Sequence, residues 1–342
     1  MVVGAKEGMR QDKLRVYITI DTETSMGGAW RNPALGPVRL ERTVFGECQS
    51  GSYGIPLIMD ILEEHGFRGT FFTEVLCAPL VGNDALRRVF RTIRERSHDA
   101  QLHLHPVYRF FHDFQNGGPR REVDLMWKLP AAEQRQLVAE GIALFRDLAG
   151  VSPRAYRAGC YGASEVTLSA LRANGIEIDS SYNLSYLGIT CGFENQPPLN
   201  APVVIEGVHE FPVTVFRVPG TSRCKPLEIS AVSVGEILAS IEALRDRGCR
   251  DVVLVLHSFS LLKNTSRRYE GSSPDHIVIR RMRKLCAALK ERQEEIEVAV
   301  LGELNLPACP VDSPQFIPSV GCIRPILRKV VQGVNRLPWP SR

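Results

Sequence analysis

Two carboxylates and two imidazoles, each pair spaced two residues apart, are the features of this 342-residue sequence best suited to chemistry. Asp21 and Glu23 flank Thr22 after the apolar run LRVYITI. Side chains at i and i+2 of an extended chain share one face. Both carboxylates could therefore project into one site, or form a solvated acidic turn behind the strand. His103 and His105 have the same spacing in LHLHP. Two imidazoles on one face, with a carboxylate from another strand, make a donor set that suits Zn2+ and leaves a position for water. Such an ion brings the ionisation of water close to neutral pH and so generates a nucleophile. His98 and His112 share no face with that pair, and structural or surface roles are expected for them.

Three further stretches carry chemistry more weakly. In YRAGCYG, Arg157 could orient a carboxylate, and backbone amides around Tyr161 could stabilise an oxyanion. A salt-bridged arginine before an ordinary turn would look the same. Asp179 and Ser180 in IDSSYN fit a common cap or turn pattern. His257, in VLVLHSFSL, ends the most apolar run of the chain and could act as a general acid or fill a core position.

The elements that must position these residues alternate in type. Strands are expected over 14–20, 69–75, 100–105, 155–158, 177–180, 251–256 and 297–301, where β-branched and aromatic residues cluster. Helices are expected over 55–65, 84–96, 130–148, 164–174, 233–246 and 274–294, several opened by Pro or an N-cap residue. This alternation predicts parallel strands with helical crossovers, as a barrel or a wound sheet. Sites in such folds lie beyond the C-terminal strand ends, where all the candidate residues fall. No GxGxxG follows the first strand and no GxxxxGK[ST] occurs, which disfavours the two commonest nucleotide-binding loops.

Composition bounds the rest. With 44% apolar and 23% charged residues, wholesale disorder is excluded. A net charge of +4 is too small for a nucleic-acid partner to be inferred. Nine cysteines without a CxxC pair read as reduced thiols. The first residues, MVVGAKEGMRQDK, have no apolar signal region, and no run reaches the ~20 residues of a membrane helix. A cytoplasmic location is expected. Three segments are anticipated: a flexible head over 1–13, one domain over 14–305, and a proline-rich basic tail over 306–342. The basic groups of that tail suit either solvation or an anionic surface.

Taken in order, TIDTE, HLHP, RAGCY, DSS and VLHS resemble the motif series of the polysaccharide deacetylases of the NodB-homology, or carbohydrate esterase 4, type. GIPLIMDILEEHGFRGTFF resembles the passage leading to that family's second strand. The resemblance covers about residues 14–305. It implies a single-domain distorted (β/α)7-type barrel and a divalent metal, usually Zn2+, with Co2+, Mn2+ or Ni2+ as alternatives. It implies His103, His105 and Glu23 as metal ligands, Asp21 as general base, Arg157 as its orienting partner and His257 as general acid. Asp21 and Glu23 could exchange roles. Tyr161, through its backbone, and Asp179 would serve the substrate and oxyanion. Two departures mark a variant subgroup: Asp-x-Glu replaces an adjacent aspartate pair, and HxH replaces histidines four apart, with Val107 at the distal position.

The activity implied is removal of an N-acetyl or related acyl group from an amino sugar of a surface polysaccharide or its precursor. The partner is then a carbohydrate. An amidohydrolase acting on cyclic amides or ureides also uses HxH, but usually on the first strand, which here carries DTE. A degenerate barrel that binds a glycan without turnover is the third reading.

Overall fold

The computed structural model describes residues 13–306 and 313–321. Its organising strand is β1, Leu14–Thr22, nearly all buried. Further strands are β2 (Thr70–Glu74), β3 (Asp99–Leu104), β4 (Ala155–Ala158), β5 (Ile178–Asp179), β6 (Val203–Ile205), β7 (Val208–Glu210), β8 (Asp251–His257) and β9 (Ile296–Ala299). They form one curled sheet in the order β8-β1-β2-β3-β4-β5-β7-β6. All neighbours are parallel except the β6–β7 hairpin. The chain thus builds the expected parallel wall, with β7 and the antiparallel β6 added to the seven strands expected from the sequence.

Strand β1 is paired on both edges. β8 runs along one edge, while β9 takes Leu14 to Tyr17 and β2 takes Thr19 to Thr22 on the other. The sheet's free ends are bridged by irregular chain. Thr214 N–H donates to the Val253 carbonyl at 3.1 Å, Val253 N–H to Thr214 Oγ1 at 2.8 Å, and Ile229 N–H to the Val255 carbonyl at 3.0 Å. These bonds satisfy the outer edge of β8 and close the barrel.

Seven helices of nine residues or more are described: α1 (Ile55–Glu63), α2 (Asn83–Glu95), α3 (Pro106–Gln115), α4 (Ala131–Ala149), α5 (Glu165–Ala173), α6 (Val234–Asp246) and α7 (His276–Glu291). Each buries an apolar stripe against the sheet; Leu86, Val89, Phe90 and Ile93 form that of α2. The helix α3 lies where the sequence pattern suggested none. Its Pro106 at the first turn and buried Val107, Tyr108, Phe110 and Phe111 account for it. Among the described residues no helix is long and apolar enough to cross a membrane.

Period-two alternation sorts the strand residues between two cores. Val16, Ile18, Ile20, Leu102, Leu104, Tyr156 and Ala158 face the helices. Tyr17, Phe72, Ala155, Ile178, Phe211 and Val253 fill the barrel interior. Above this apolar plug, the same inward columns end in Asp21, His103 and Arg157.

Residues 313–321 lie against the barrel wall. Gln315 accepts the N–H groups of Asn200 and Ala201 at 2.7 and 3.0 Å, and Arg217 N–H donates to the Pro318 carbonyl at 2.8 Å. Residues 1–12 of the head anticipated over 1–13, and most of the proline-rich tail, lie outside the described residues.

Candidate active site

Strand register sets the site. Asp21 is level with His257 across β1 and β8, Glu74 with His103 across β2 and β3, and His103 with Arg157 across β3 and β4. All stand at the C-terminal rim, where the strands of a parallel barrel deliver side chains from separate elements to one point.

Glu23 lies two residues beyond Asp21 on the same side, and Glu23 Oε2 receives both histidines. It is 3.0 Å from His103 Nε2 and 2.6 Å from His105 Nε2. The other nitrogen of each ring is already engaged. His103 Nδ1 lies 2.8 Å from the Arg157 carbonyl, and His105 Nδ1 lies 2.9 Å from Asp124 Oδ2. A carbonyl and a carboxylate only accept, so each Nδ1 carries the hydrogen. Both Nε2 lone pairs therefore meet a carboxylate oxygen that also offers only lone pairs. A cation must separate them. One proton serves one ring at a time; a divalent metal ion serves all three donors together. The three ligand atoms lie within 4.8 Å of one another, and outer partners fix both rings, so the donor set fits such an ion.

Without an ion, a proton on His105 takes that place. Burial pushes the Glu23 carboxyl up, but the charge of His105 and hydrogen bonds from His103 and His105 outweigh it and hold Glu23 well below the usual carboxylate range. Burial works against a charge on His105, yet Asp124 and Glu23 outweigh it and hold that imidazole well above its usual value.

Asp21 has a different partner. Arg157, wholly buried, donates through Nη1 to Asp21 Oδ1 and to Thr19 Oγ1, both at 2.8 Å. Its Nε and Nη2 reach the Ser180 carbonyl and Ser180 Oγ, both at 2.9 Å. One Asp21 oxygen is thus committed, and Oδ2 remains on the side of His257, whose Nε2 is 4.0 Å away. His257 Nε2 is also 3.9 Å from Glu23 Oε1, and its ring stacks on Phe259 at 5.2 Å.

The turn after β4 completes the rim. Cys160 and Tyr161 adopt positive φ of 55° and 59°, which turns the backbone of RAGCY back toward the site. Gly159 packs so closely on His105 that a Cβ there would lie 2.4 Å from the ring. The Tyr161 ring stacks on Tyr186 at 5.5 Å.

No family model and no curated protein matches this sequence. Solved structures do match. A candidate polysaccharide deacetylase from Mycobacterium smegmatis is 18% identical, with a TM-score of 0.55, over 100% of this chain and 98% of that one. The chain has the fold of the polysaccharide deacetylases. Matches with lower TM-scores include a peptidoglycan N-acetylglucosamine deacetylase (14% identity, 85% and 87% coverage, TM-score 0.40) and a CE4 family pseudoenzyme from Bacillus anthracis (11%, 89% and 69%, 0.44).

Within this deacetylase fold, the structure brings together Asp21, Glu23, His103, His105, Arg157 and His257, with Tyr161 on the adjoining turn. Asp179 stands apart. It is level with Tyr156, on the helix-facing side of the wall, and its carboxylate takes the Oγ and N–H of Ser181 at 2.7 and 3.2 Å. His98 is structural: Nδ1 accepts the Gly69 N–H and Nε2 faces Glu63, each at 3.0 Å.

Two site residues escaped sequence reasoning. Asp124 comes from irregular chain before α4, with no periodic signal to flag it. Glu74, at the end of β2, is buried and accepts the N–H groups of Leu76 and Cys77, both at 2.8 Å. Its place level with His103, at the end of GTFFTE, was the available clue.

Proposed function

We propose that this protein is a metal-dependent deacetylase that hydrolyses an N-acetyl or related acyl amide on an amino sugar of a glycan or glycan precursor. One observation carries the reading. Two imidazoles with their Nδ1 hydrogens held elsewhere converge on Glu23, while Asp21, two residues away, is held separately by Arg157 with one oxygen left over.

Glu23, His103 and His105 would hold the ion. A divalent cation there, Zn2+ or alternatively Co2+, Mn2+ or Ni2+, would supply Lewis acidity toward the acyl carbonyl and the attacking water. The chain's own groups do the rest. Asp21 Oδ2 takes the proton of the water, and Arg157 keeps Oδ1 occupied so that the carboxylate points one way. The backbone N–H of Tyr161 donates to the developing oxyanion. His257, within 4.0 Å of Asp21, gives a proton to the departing amine. Phe259 behind its ring limits the orientations that it samples. Asp124 holds the His105 tautomer.

Metal analysis combined with acetate release from N-acetylated oligosaccharides and sugar nucleotides tests this. Purified protein should retain about one divalent ion, and His103→Ala should lose both ion and activity. A parent that neither binds divalent ions nor differs from His103→Ala would remove the mechanism. Saturable glycan binding without acetate release, unchanged by Asp21→Asn, would favour a binding barrel instead.

A further inference from the structure

On the helix-facing side of the barrel wall, behind Arg157, two carboxyl groups are buried together. Asp179 on β5 and Glu210 on β7 are level across the sheet, and both are wholly buried. They stand side by side on hydrogen-bonded neighbouring strands. Glu210 Oε1 accepts the Tyr182 N–H at 3.0 Å, while Oε2 has no donor among the described residues. Asp179 already accepts from Ser181 with both oxygens. Two carboxylates buried side by side without a cation between them cannot both stay ionised in such surroundings. Burial, with each charge opposing the other, pushes the Glu210 carboxyl well up.

What the pair grips explains why it matters. Asp179 fixes Ser181 and Glu210 fixes Tyr182, the two residues that follow Ser180. Ser180 in turn accepts two of the Arg157 donors and gives its own hydroxyl to the Phe211 carbonyl at 2.7 Å. Ser181 Oγ also accepts the Ala158 N–H at 2.9 Å, at the end of the strand that leads into the Tyr161 turn. The pair therefore stands behind both the Arg157–Asp21 contact and the turn that would supply the oxyanion donor.

We propose that Glu210 is a positioning residue: by sharing a proton with Asp179 it locks residues 180–182, and through Ser180 it holds Arg157 against Asp21. It touches neither substrate nor reacting atoms. The kinetic part of this inference rests on the deacetylase reading; the structural part does not.

The variants Glu210→Gln and Glu210→Met separate the roles. Gln can still donate to Asp179 and accept from Tyr182, so it should keep kcat within about threefold of the parent. Met fills the space without either bond. It should lower kcat about 10–100-fold with KM nearly unchanged, since a misplacement of about 1 Å costs on that order. In an Arg157→Met background, Glu210→Met should cost nothing more, because its effect runs through that arginine. Should Glu210→Met not fold, Ser181→Ala cuts the tie between Asp179 and Ala158 and should give the same kcat-selective loss.

Crystal structures of the parent and the folded variant test the geometry without turnover: Arg157 should leave Asp21 in Glu210→Met, or the Tyr161 turn should shift in Ser181→Ala. An unmoved Arg157 and turn would overturn the proposal, as would full activity in the variant or equal losses for Gln and Met. A parent that releases no acetate would sink the deacetylase reading alone.

Discussion

Asp21 and Glu23 are two carboxylates on one strand face, yet their neighbours give them separate work. Arg157 occupies one oxygen of Asp21, and two imidazoles meet one oxygen of Glu23. Two variants distinguish them. Asp21→Asn should keep its divalent ion in metal analysis while kcat falls about 10²–10⁴-fold, the usual range for a lost general base. Glu23→Gln should lose the ion itself. Asp124→Asn, one bond further out, should weaken metal affinity about 10–100-fold in a competition titration, because it loosens the hold on the His105 ring. Much of this was legible in the sequence. The two-residue spacings of DTE and HLH translate directly into a shared strand face. Asp124 was not, because it reaches His105 from irregular chain 19 residues downstream, where no period operates.

Elements turn those residues into a site through register and close approach. Gly159 shows the second: a Cβ would meet the His105 ring at 2.4 Å, and that ring is held between Glu23 and Asp124. Gly159→Ala should therefore cost roughly 1–3 kcal/mol in urea unfolding and lower metal affinity together with activity. Strands β5 and β7 give a pH-dependent case. Burial raises both Asp179 and Glu210, and the charge of Asp179 raises Glu210 further; the groups facing them are Ser181, Arg157, Tyr156, Tyr182 and Cys191. The native state thus binds a proton more tightly than the unfolded chain does. Its stabilising effect is complete below the ordinary carboxyl range and is lost as pH rises through the raised value. Glu210→Gln should lose less stability than the parent as pH rises from 5 to 9, which denaturant midpoints across that range will check; parallel profiles would refute it. Sequence reading found β5 as a short strand but could not see this pair. Which residues lie level across β5 and β7 depends on the long connection over 180–207, most of it without a repeating pattern.

At the scale of the whole molecule, the barrel closes without a continuous strand, since residues 213–229 satisfy the edge of β8 one bond at a time. Alternating apolar segments in the sequence announced seven strands of the wall, but nothing periodic announced this closure. The consequence is a rim whose candidate ligands come from distant parts of one fold: Glu23 follows β1, and the histidines lie at the end of β3. An ion held by all three would tie β1 to β3, which are not neighbours in the sheet. Anything that binds the native but not the unfolded chain stabilises it, by about 2.7 kcal/mol at a free concentration of 100 Kd. For a domain of this size that is roughly 4–5 °C in Tm. Zn2+ at that excess should raise the melting temperature of metal-stripped protein by this amount in calorimetry, and a chelator should reverse the shift. His103→Ala should show almost none of it, while Asp21→Asn should show all of it. A shift of equal size in His103→Ala would place the stabilising ion elsewhere and separate metal-linked stability from the Glu23 centre.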